Sequence, residues 1–71
     1  MQIFSLNGHE HIALCDLLKL TGLADSGGQA KTWIAEGRIR RNGATETCKT
    51  AKILAGEIIE LDNGSAIKVQ E

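Results

Sequence analysis

The chain has 71 residues, a formal net charge of −1 and only two aromatic residues, Phe4 and Trp33. This length allows one small domain with an aliphatic core, and the near-neutral charge argues against indiscriminate binding to nucleic acids. No apolar run approaches the roughly 20 residues of a membrane-spanning helix, the N-terminus lacks a secretory signal pattern, and two cysteines do not form a disulfide framework. We therefore expect a single cytoplasmic domain over residues 1–71, monomeric and without membrane contact.

The first elements predicted are a short strand over residues 2–6 and a turn at Asn7-Gly8, a dipeptide typical of tight hairpin turns. A helix is predicted from Ala13. Its apolar face follows the i, i+3, i+4 and i+7 spacing of an α-helix: Leu14, Leu17, Leu18 and Thr21. Gly22 is predicted to end this helix in a left-handed conformation.

A second helix is predicted to begin at Ser26. Ser26 as the N-cap and Gln29 three residues later match the capping box, in which two side chains satisfy backbone N–H groups at the helix start. The bulky Trp33 shares a helical face with Ala30 and Ile34, so we interpret it as core or partly covered core rather than as a platform for base stacking. Gly37 ends the helix, and the two helices form a helix-turn-helix-like unit.

The pattern after Gly37 is that of strands. Arg38, Ile39 and Arg40 alternate, with Ile39 pointing inward, and Asn42-Gly43 is the strongest hairpin signal in the chain. Residues 44–47 are the return strand, 48–52 an irregular crossing, and 58–61 and 66–69 a terminal hairpin around residues 62–64. The fold class is therefore α+β, with two short helices packed on a small, mostly antiparallel sheet.

Charge is unevenly distributed along the chain. Residues 31–52 contain six basic and two acidic side chains, a net charge of +4, whereas the remainder contains two basic and seven acidic ones, a net charge of −5. This segregation suits a protein that turns one face toward a polyanion. The alternative is chance clustering of charges on a solvated face.

The order of motifs resembles a known family. The motifs are Leu14-x-Asp16-Leu17-Leu18, Ser26-Gly27-Gly28-Gln29-Ala30-Lys31, Ile34-x-x-Gly37-x-Ile39-x-x-Asn42-Gly43, Glu46-Thr47 and Lys52-Ile53-x-x-Gly56-Glu57. Over about residues 12–61 the chain resembles the RNA-binding domain of the ribosomal protein S-four type, in particular its small stand-alone bacterial subgroup. The resemblance implies a compact domain whose helices and following loop, the αL motif, bind structured RNA such as ribosomal RNA, with no enzymatic activity.

The sequence departs from that family pattern at several positions. Gly27 stands where the broader family often has Arg, although glycine is normal in the subgroup, and the basic residue often found near Thr50 is missing. Cys48 stands where the subgroup usually has Arg, Arg41 stands where Val is more common, and Glu57 replaces the usual Asp. The missing charge at Cys48 affects the loop that the resemblance implies for phosphate contact. Arg40 and Arg41 are expected to move part of this charge to the neighbouring strand.

Candidate RNA contacts lie between residues 27 and 52. The glycines at the second helix start expose N–H groups suited to a phosphate, unless they serve only close packing. Arginines beside the hairpin turn are expected to be exposed and to grip phosphates, so that their removal leaves stability unchanged; the alternative is edge-strand charge that prevents aggregation. Asn42 is chiefly a turn residue with a possible base contact, and the lysines are otherwise ordinary solvated side chains. The full set is Gly27, Gly28, Lys31, Arg38, Arg40, Arg41, Asn42, Lys49 and Lys52.

Other classes of site are not predicted. His9, His11 and Cys15 fit no standard zinc spacing, and no nucleophile, nucleotide-binding motif or other cofactor fingerprint is present. No Ser/His/Asp or Cys/His pairing has a supporting neighbour either, so we expect no metal, no cofactor and no catalysis. The alternative function is a protein-interaction module whose basic face docks on an acidic, ribosome-associated partner.

Overall fold

A computed structural model describes the whole chain, Met1–Glu71, with two helices and seven strands. In chain order these are β1 (Gln2–Ser5), β2 (Ile12–Ala13), α1 (Leu14–Leu20), α2 (Gly27–Ala35), β3 (Ile39–Arg41), β4 (Ala44–Thr45), β5 (Lys52–Ile53), β6 (Ile58–Leu61) and β7 (Ala66–Gln70). The predicted α+β class is confirmed. No helix is long and apolar enough to cross a membrane.

The main sheet has the strand order β1-β7-β6-β3-β4. Its pairings are antiparallel, except that the N-terminal β1 runs parallel to the C-terminal β7. Strands β2 and β5 form a separate antiparallel pair beside the start of α1. The sheet is thus mostly antiparallel, as predicted, with the two chain ends joined at one edge.

Both helices begin and end for local reasons visible in the sequence. The hydroxyl of Ser26 accepts a hydrogen bond from the Gln29 N–H at 3.1 Å, as the capping box requires. The reciprocal bond differs from the prediction, because the Gln29 side-chain oxygen accepts from the Asp25 N–H, at 2.7 Å, and not from Ser26. Gly22 and Gly37 follow the two helices with φ of +79° and +76°, values that favour glycine.

The hairpin between β3 and β4 is the two-residue turn that the sequence predicted. Asn42 and Gly43 have φ of +52° and +87°, both positive as a type I′ turn demands. Arg41 pairs with Ala44 directly across the turn. This turn fixes the register of β3 and therefore decides which of its side chains point to each face of the sheet.

One aliphatic core joins the helices to a single face of the sheet. Its largest fully buried side chains come from both helices and from β3, β5, β6 and β7: Leu14, Leu17, Leu18, Ile34, Ile39, Ile53, Ile59, Ile67 and Val69. Trp33 is half-buried against this core, as predicted. The other face of the sheet carries no helix, so the sheet has an inner, helix-covered face and an outer, solvent face.

Candidate nucleic-acid interface

Arg41 lies at the centre of a polar network on the inner face of the sheet. Its Nε and Nη2 donate to the two carboxylate oxygens of Glu57 at 2.7 and 2.9 Å. Its Nη1 donates to Glu46 at 3.2 Å and its Nη2 also donates to the Lys52 carbonyl at 2.9 Å. Only 27% of the Arg41 side chain and 16% of that of Glu57 are exposed. The guanidinium therefore ties β3 to the loops on either side of β5.

The expectation that the Arg41 side chain is exposed is wrong, because only 27% of it is accessible. The reason is strand alternation, because Arg41 lies two residues after Ile39 and must share its inward face. Arg40, between them, points to the outer face, where its cross-strand neighbours are Glu60 and Thr45. Two adjacent arginines thus have opposite environments.

The carboxylates of this network also hold backbone. Glu57 accepts from the Leu54 N–H at 2.7 Å, and Glu46 accepts from the Cys48 N–H at 3.1 Å. The hydrogen bond from Arg41 is the main reason that the pKa of Glu57 lies below its ordinary value. The bond from Cys48, followed by Arg41, lowers the pKa of Glu46 in the same way. Both side chains are charged acceptors that shape the 46–57 segment.

Asn42 is also held by this network. Its amide nitrogen donates to Glu57 at 3.1 Å and its amide oxygen accepts from the Ile58 N–H at 2.9 Å. Both ends of the side chain are therefore engaged within the protein. The structure places Asn42 as a turn and anchoring residue, which is the interpretation that the sequence favoured.

Arg38 is paired on the surface. Its Nε and Nη2 donate to Asp62 at 2.9 and 3.3 Å, with Glu36 at 3.8 Å. Its guanidinium also lies 5.1 Å from the centre of the Trp33 ring, in the range of a cation–π contact. Arg38 is thus paired with a carboxylate and lies over one face of the indole, while 40% of its side chain is exposed.

The loop after β4 packs on the first turn of α1. The N–H groups of Leu14 and Cys15 donate to the carbonyls of Ala51 and Lys49 at 2.9 and 3.1 Å. These bonds satisfy N–H groups that a helix start leaves without intrahelical partners. The side chains of Lys49 and Lys52 are exposed and belong to none of the ion pairs in the protein. The loop is therefore fixed on the helix side of the sheet with two free cations.

The start of α2 offers open backbone donors. The N–H groups of Gly27 and Gly28 have no hydrogen-bond partner in the protein. A methyl group added at Gly27 meets nothing within 4 Å, and one added at Gly28 meets only the Ser26 hydroxyl at 3.8 Å. Close packing therefore does not require glycine at either position, nor does a positive φ. Lys31, one turn later, is exposed and unpaired.

The predicted residues thus fall into three groups. The first group lies on the helix side of the sheet, and its glycine N–H groups and lysine side chains have no hydrogen-bond or ion-pair partner in the protein. It consists of Gly27, Gly28 and Lys31 on α2, Lys49 on the loop after β4 and Lys52 at the start of β5. Arg40 is free but points to the outer face. Arg38, Arg41 and Asn42 are held by partners within the protein. Sequence reasoning missed the carboxylates Glu46 and Glu57; the signal was the phase of Arg41 with Ile39, since an inward arginine needs a charged partner.

The resemblance noted in the sequence implied an RNA-binding domain class in which two helices and the following loop form the αL motif, and α1, α2 and the loop on α1 match that order. The chain belongs to this class: the model of the S4 domain family matches residues 4–70. Among individual proteins, the chain is 54% identical over 59 residues to YbcJ of Escherichia coli (strain K12), covering 83% of this chain and 84% of that protein. It matches YbcJ of Shigella flexneri to the same extent. YbcJ is the type of the stand-alone subgroup that the sequence motifs resemble.

A solved structure agrees with the fold as well as the family. The solution structure of E. coli YbcJ, described as revealing an αL motif involved in RNA binding, is similar to the whole of this chain, with a TM-score of 0.77. The match covers 89% of that chain at 48% sequence identity. The αL arrangement of helices and loop is thus shared with a protein described as binding RNA.

Proposed function

We propose that this protein binds structured RNA through an RNA-binding surface on the helix side of the sheet. It is formed by Gly27, Gly28 and Lys31 on α2, by Lys49 on the loop that packs on α1 and by Lys52 at the start of β5. Membership of the S4 domain family and the likeness to YbcJ support this function. The protein acts by binding rather than by catalysis, on folded RNA such as ribosomal RNA. Its two free cysteines, one of them exposed, suit the reducing cytoplasm.

The observation that carries the proposal is the set of basic side chains that have no carboxylate partner within the protein. Within residues 31–52, the acidic side chains Glu36 and Glu46 both pair with arginines. Four cations of this segment have no carboxylate partner: Lys31, Arg40, Lys49 and Lys52. The segment therefore presents unpaired positive charge and no unpaired carboxylate, as a phosphate-binding surface requires.

The mode of RNA recognition follows from the lack of aromatic side chains on this surface. Sequence-specific binding of single-stranded RNA usually depends on aromatic side chains that stack on bases. Trp33 is half-buried beneath Arg38, and no other aromatic residue follows it in the chain. Lysines and backbone N–H groups contact phosphates instead, so the spacing of phosphates in folded RNA is what this surface recognises.

Salt dependence of binding tests the proposal. We expect a short RNA hairpin to bind more tightly than an unstructured strand of the same composition. If Lys31, Lys49 and Lys52 each neutralise one phosphate, log Kd plotted against log salt concentration has a slope of about 2 to 3, because each neutralised phosphate contributes about 0.7 to 0.9. Fluorescence polarisation at several salt concentrations measures both quantities. Binding that is independent of salt, or equal for both RNAs, contradicts the proposal.

A further inference from the structure

The free edge of β1 carries unpaired backbone groups. The Leu6 N–H donates to the Gln70 carbonyl at 2.7 Å, so residues in phase with Leu6, namely Gln2 and Phe4, direct their backbone groups toward β7. The intervening residues Ile3 and Ser5 direct theirs to the opposite side, where β1 has no neighbouring strand. By this phase, the N–H and C=O of Ile3 and Ser5 take no part in the β1–β7 ladder, and no backbone hydrogen bond outside the helices and strands involves them.

This edge lacks the features by which sheet edges avoid pairing. Strand β1 contains neither a charged residue nor a proline over Gln2–Ser5. Ile3 is 52% exposed on the outer face. The opposite edge of the sheet, β4, has only two residues and offers far less. The β1 edge is therefore the place where the sheet is open to a further strand.

A groove beside the same edge is partly apolar. It has a volume of about 410 Å³ between β1 and α1, and Phe4, Leu6 and Leu20 are among its lining residues. Phe4 is half-buried, and the Leu20 side chain is 66% exposed. A strand added to β1 covers Phe4 and brings a side chain of its own into this groove. The edge thus combines unpaired hydrogen-bonding groups with uncovered apolar surface.

We infer that the β1 edge pairs with the β1 edge of a second copy of this chain. In an antiparallel pair, Ile3 of each copy lies opposite Ser5 of the other, and the four free groups of each copy form four hydrogen bonds across the edge. The two-fold axis passes between the two Phe4 residues. These form the non-hydrogen-bonded pair, with Cα atoms about 4.5 Å apart.

The chemistry of β1 fits a second copy well. In a two-fold symmetric pair the same surface patch lies on both sides of the interface. Because β1 is uncharged, neither copy meets a like charge from the other strand. An aromatic pair directly opposite across two strands is favourable. Four residues per copy bury less than the roughly 1,200 Å² of a stable interface, so the pairing is weak and depends on concentration.

Sedimentation equilibrium of the full chain tests whether the pair forms. The average mass is expected to rise above the 7.6 kDa of one chain between about 10 µM and 1 mM, the range of small interfaces. Ile3→Lys places a charge on this edge and is expected to abolish the rise. Thr45→Lys adds the same charge to the exposed edge strand β4 and leaves it unchanged. A constant mass of one chain for the wild-type protein overturns the inference.

Disulfide trapping tests the register in a Cys48→Ser background. Phe4→Cys brings two thiols directly opposite and is expected to give a covalent dimer. Ile3→Cys alone is not expected to give a covalent dimer, since the two Cα atoms at position 3 lie about 8 Å apart, beyond disulfide reach. A mixture of Ile3→Cys and Ser5→Cys chains gives the mixed dimer even where Phe4→Cys fails to fold. Faster cross-linking of Ile3→Cys alone than of that mixture contradicts the register.

Discussion

Arg41 and Glu57 form a two-point ion pair, with the Nε–Oε1 and Nη2–Oε2 distances at 2.7 and 2.9 Å. Both residues are positions at which the sequence was interpreted as departing from the S4-type pattern. The two departures are therefore partners in space. The carboxylate and the guanidinium together join β3 to the segment that carries Lys49 and Lys52, so Arg41 holds this part of the proposed RNA-binding surface in place.

Replacement of Arg41 by Ala is expected to destabilise the protein by about 2 kcal/mol, because two carboxylates and a carbonyl lose a charged donor. For a domain of this size, such a loss lowers the melting temperature by roughly 10 °C. Arg40→Ala, a residue earlier, removes an exposed side chain without an ion pair and is expected to change the stability by no more than about 0.5 kcal/mol. Thermal unfolding followed by circular dichroism measures both. Equal melting temperatures for the two variants contradict a stabilising role of the Arg41 ion pairs.

Acid is expected to weaken the ion pair between Arg41 and Glu57. The folded-state pKa of Glu57 lies below its ordinary value of 4.5, chiefly because Arg41 donates to it. A lowered folded-state pKa contributes stability that is fully present above the unfolded-state value, and this contribution is lost as the pH falls through the folded-state value. The free energy of unfolding therefore falls on acidification below about pH 4.5. Urea unfolding between pH 7 and pH 3 measures it.

Glu57→Gln separates this carboxylate from the general effect of acid. At pH 7 the variant is expected to be about 1 to 2 kcal/mol less stable than the wild type, because a charged acceptor becomes neutral. The difference shrinks as the pH falls and Glu57 of the wild type is protonated. Glu60→Gln is the matched control, since Glu60 is exposed on the outer face and forms no ion pair. A dependence of stability on pH that is the same for Glu57→Gln and for this control contradicts the role of the Arg41–Glu57 ion pair.

Local chemistry made most of the fold predictable from the sequence. The Ser26 N-cap, the glycines after both helices and the Asn42-Gly43 turn each act over a few residues, and the structure confirms them. Only the reciprocal bond of Gln29 differs, since it goes to the Asp25 N–H. The parallel contact of β1 with β7 was not predicted, since it joins residues about 65 positions apart through pairing that no turn signal encodes. The periodicity of a sequence indicates which segments are strands, but it does not indicate which distant strands pair.

The site was less predictable because charge pairing is also long-range. The arginines beside the turn looked alike as a basic run, yet Arg38 pairs with Asp62 and Arg41 with Glu57, each far along the chain. Alternation from the buried Ile39 was enough to show that Arg41 points inward, but not which carboxylate meets it. The lysines remain free for the opposite reason, because no acidic side chain lies within ion-pair distance of them.

Two double variants of equal charge distinguish the two faces of the sheet. Lys49→Ala with Lys52→Ala removes two cations from the RNA-binding surface, whereas Arg40→Ala with Lys68→Ala removes two from the outer face. We expect the first to raise Kd for a structured RNA about 30-fold, if each phosphate contact is worth about 1 kcal/mol, and to reduce the salt slope by about 2. The second is expected to change Kd less than about threefold through its long-range charge alone. Equal losses in polarisation titrations argue against a surface confined to the helix side.

The start of α2 permits a substitution that removes one backbone donor and little else. Gly27 is the first helical residue, its N–H has no partner in the protein, and Ser26 before it is extended at φ −151° and ψ 164°. Proline is favoured at this helical position and requires an extended residue before it. Gly27→Pro is therefore expected to fold, with stability unchanged or raised by up to about 1 kcal/mol.

RNA binding by Gly27→Pro then reports on the missing N–H. One lost hydrogen bond to a phosphate, worth about 1 kcal/mol, raises Kd about fivefold, while the salt slope is unchanged because no cation is removed. Gly27→Ala is the control, because it keeps the N–H and its methyl group meets nothing within 4 Å. A loss shared equally by both variants assigns the effect to crowding at the helix start. Wild-type affinity for Gly27→Pro shows that the lysines bind the RNA without the helix N-terminus.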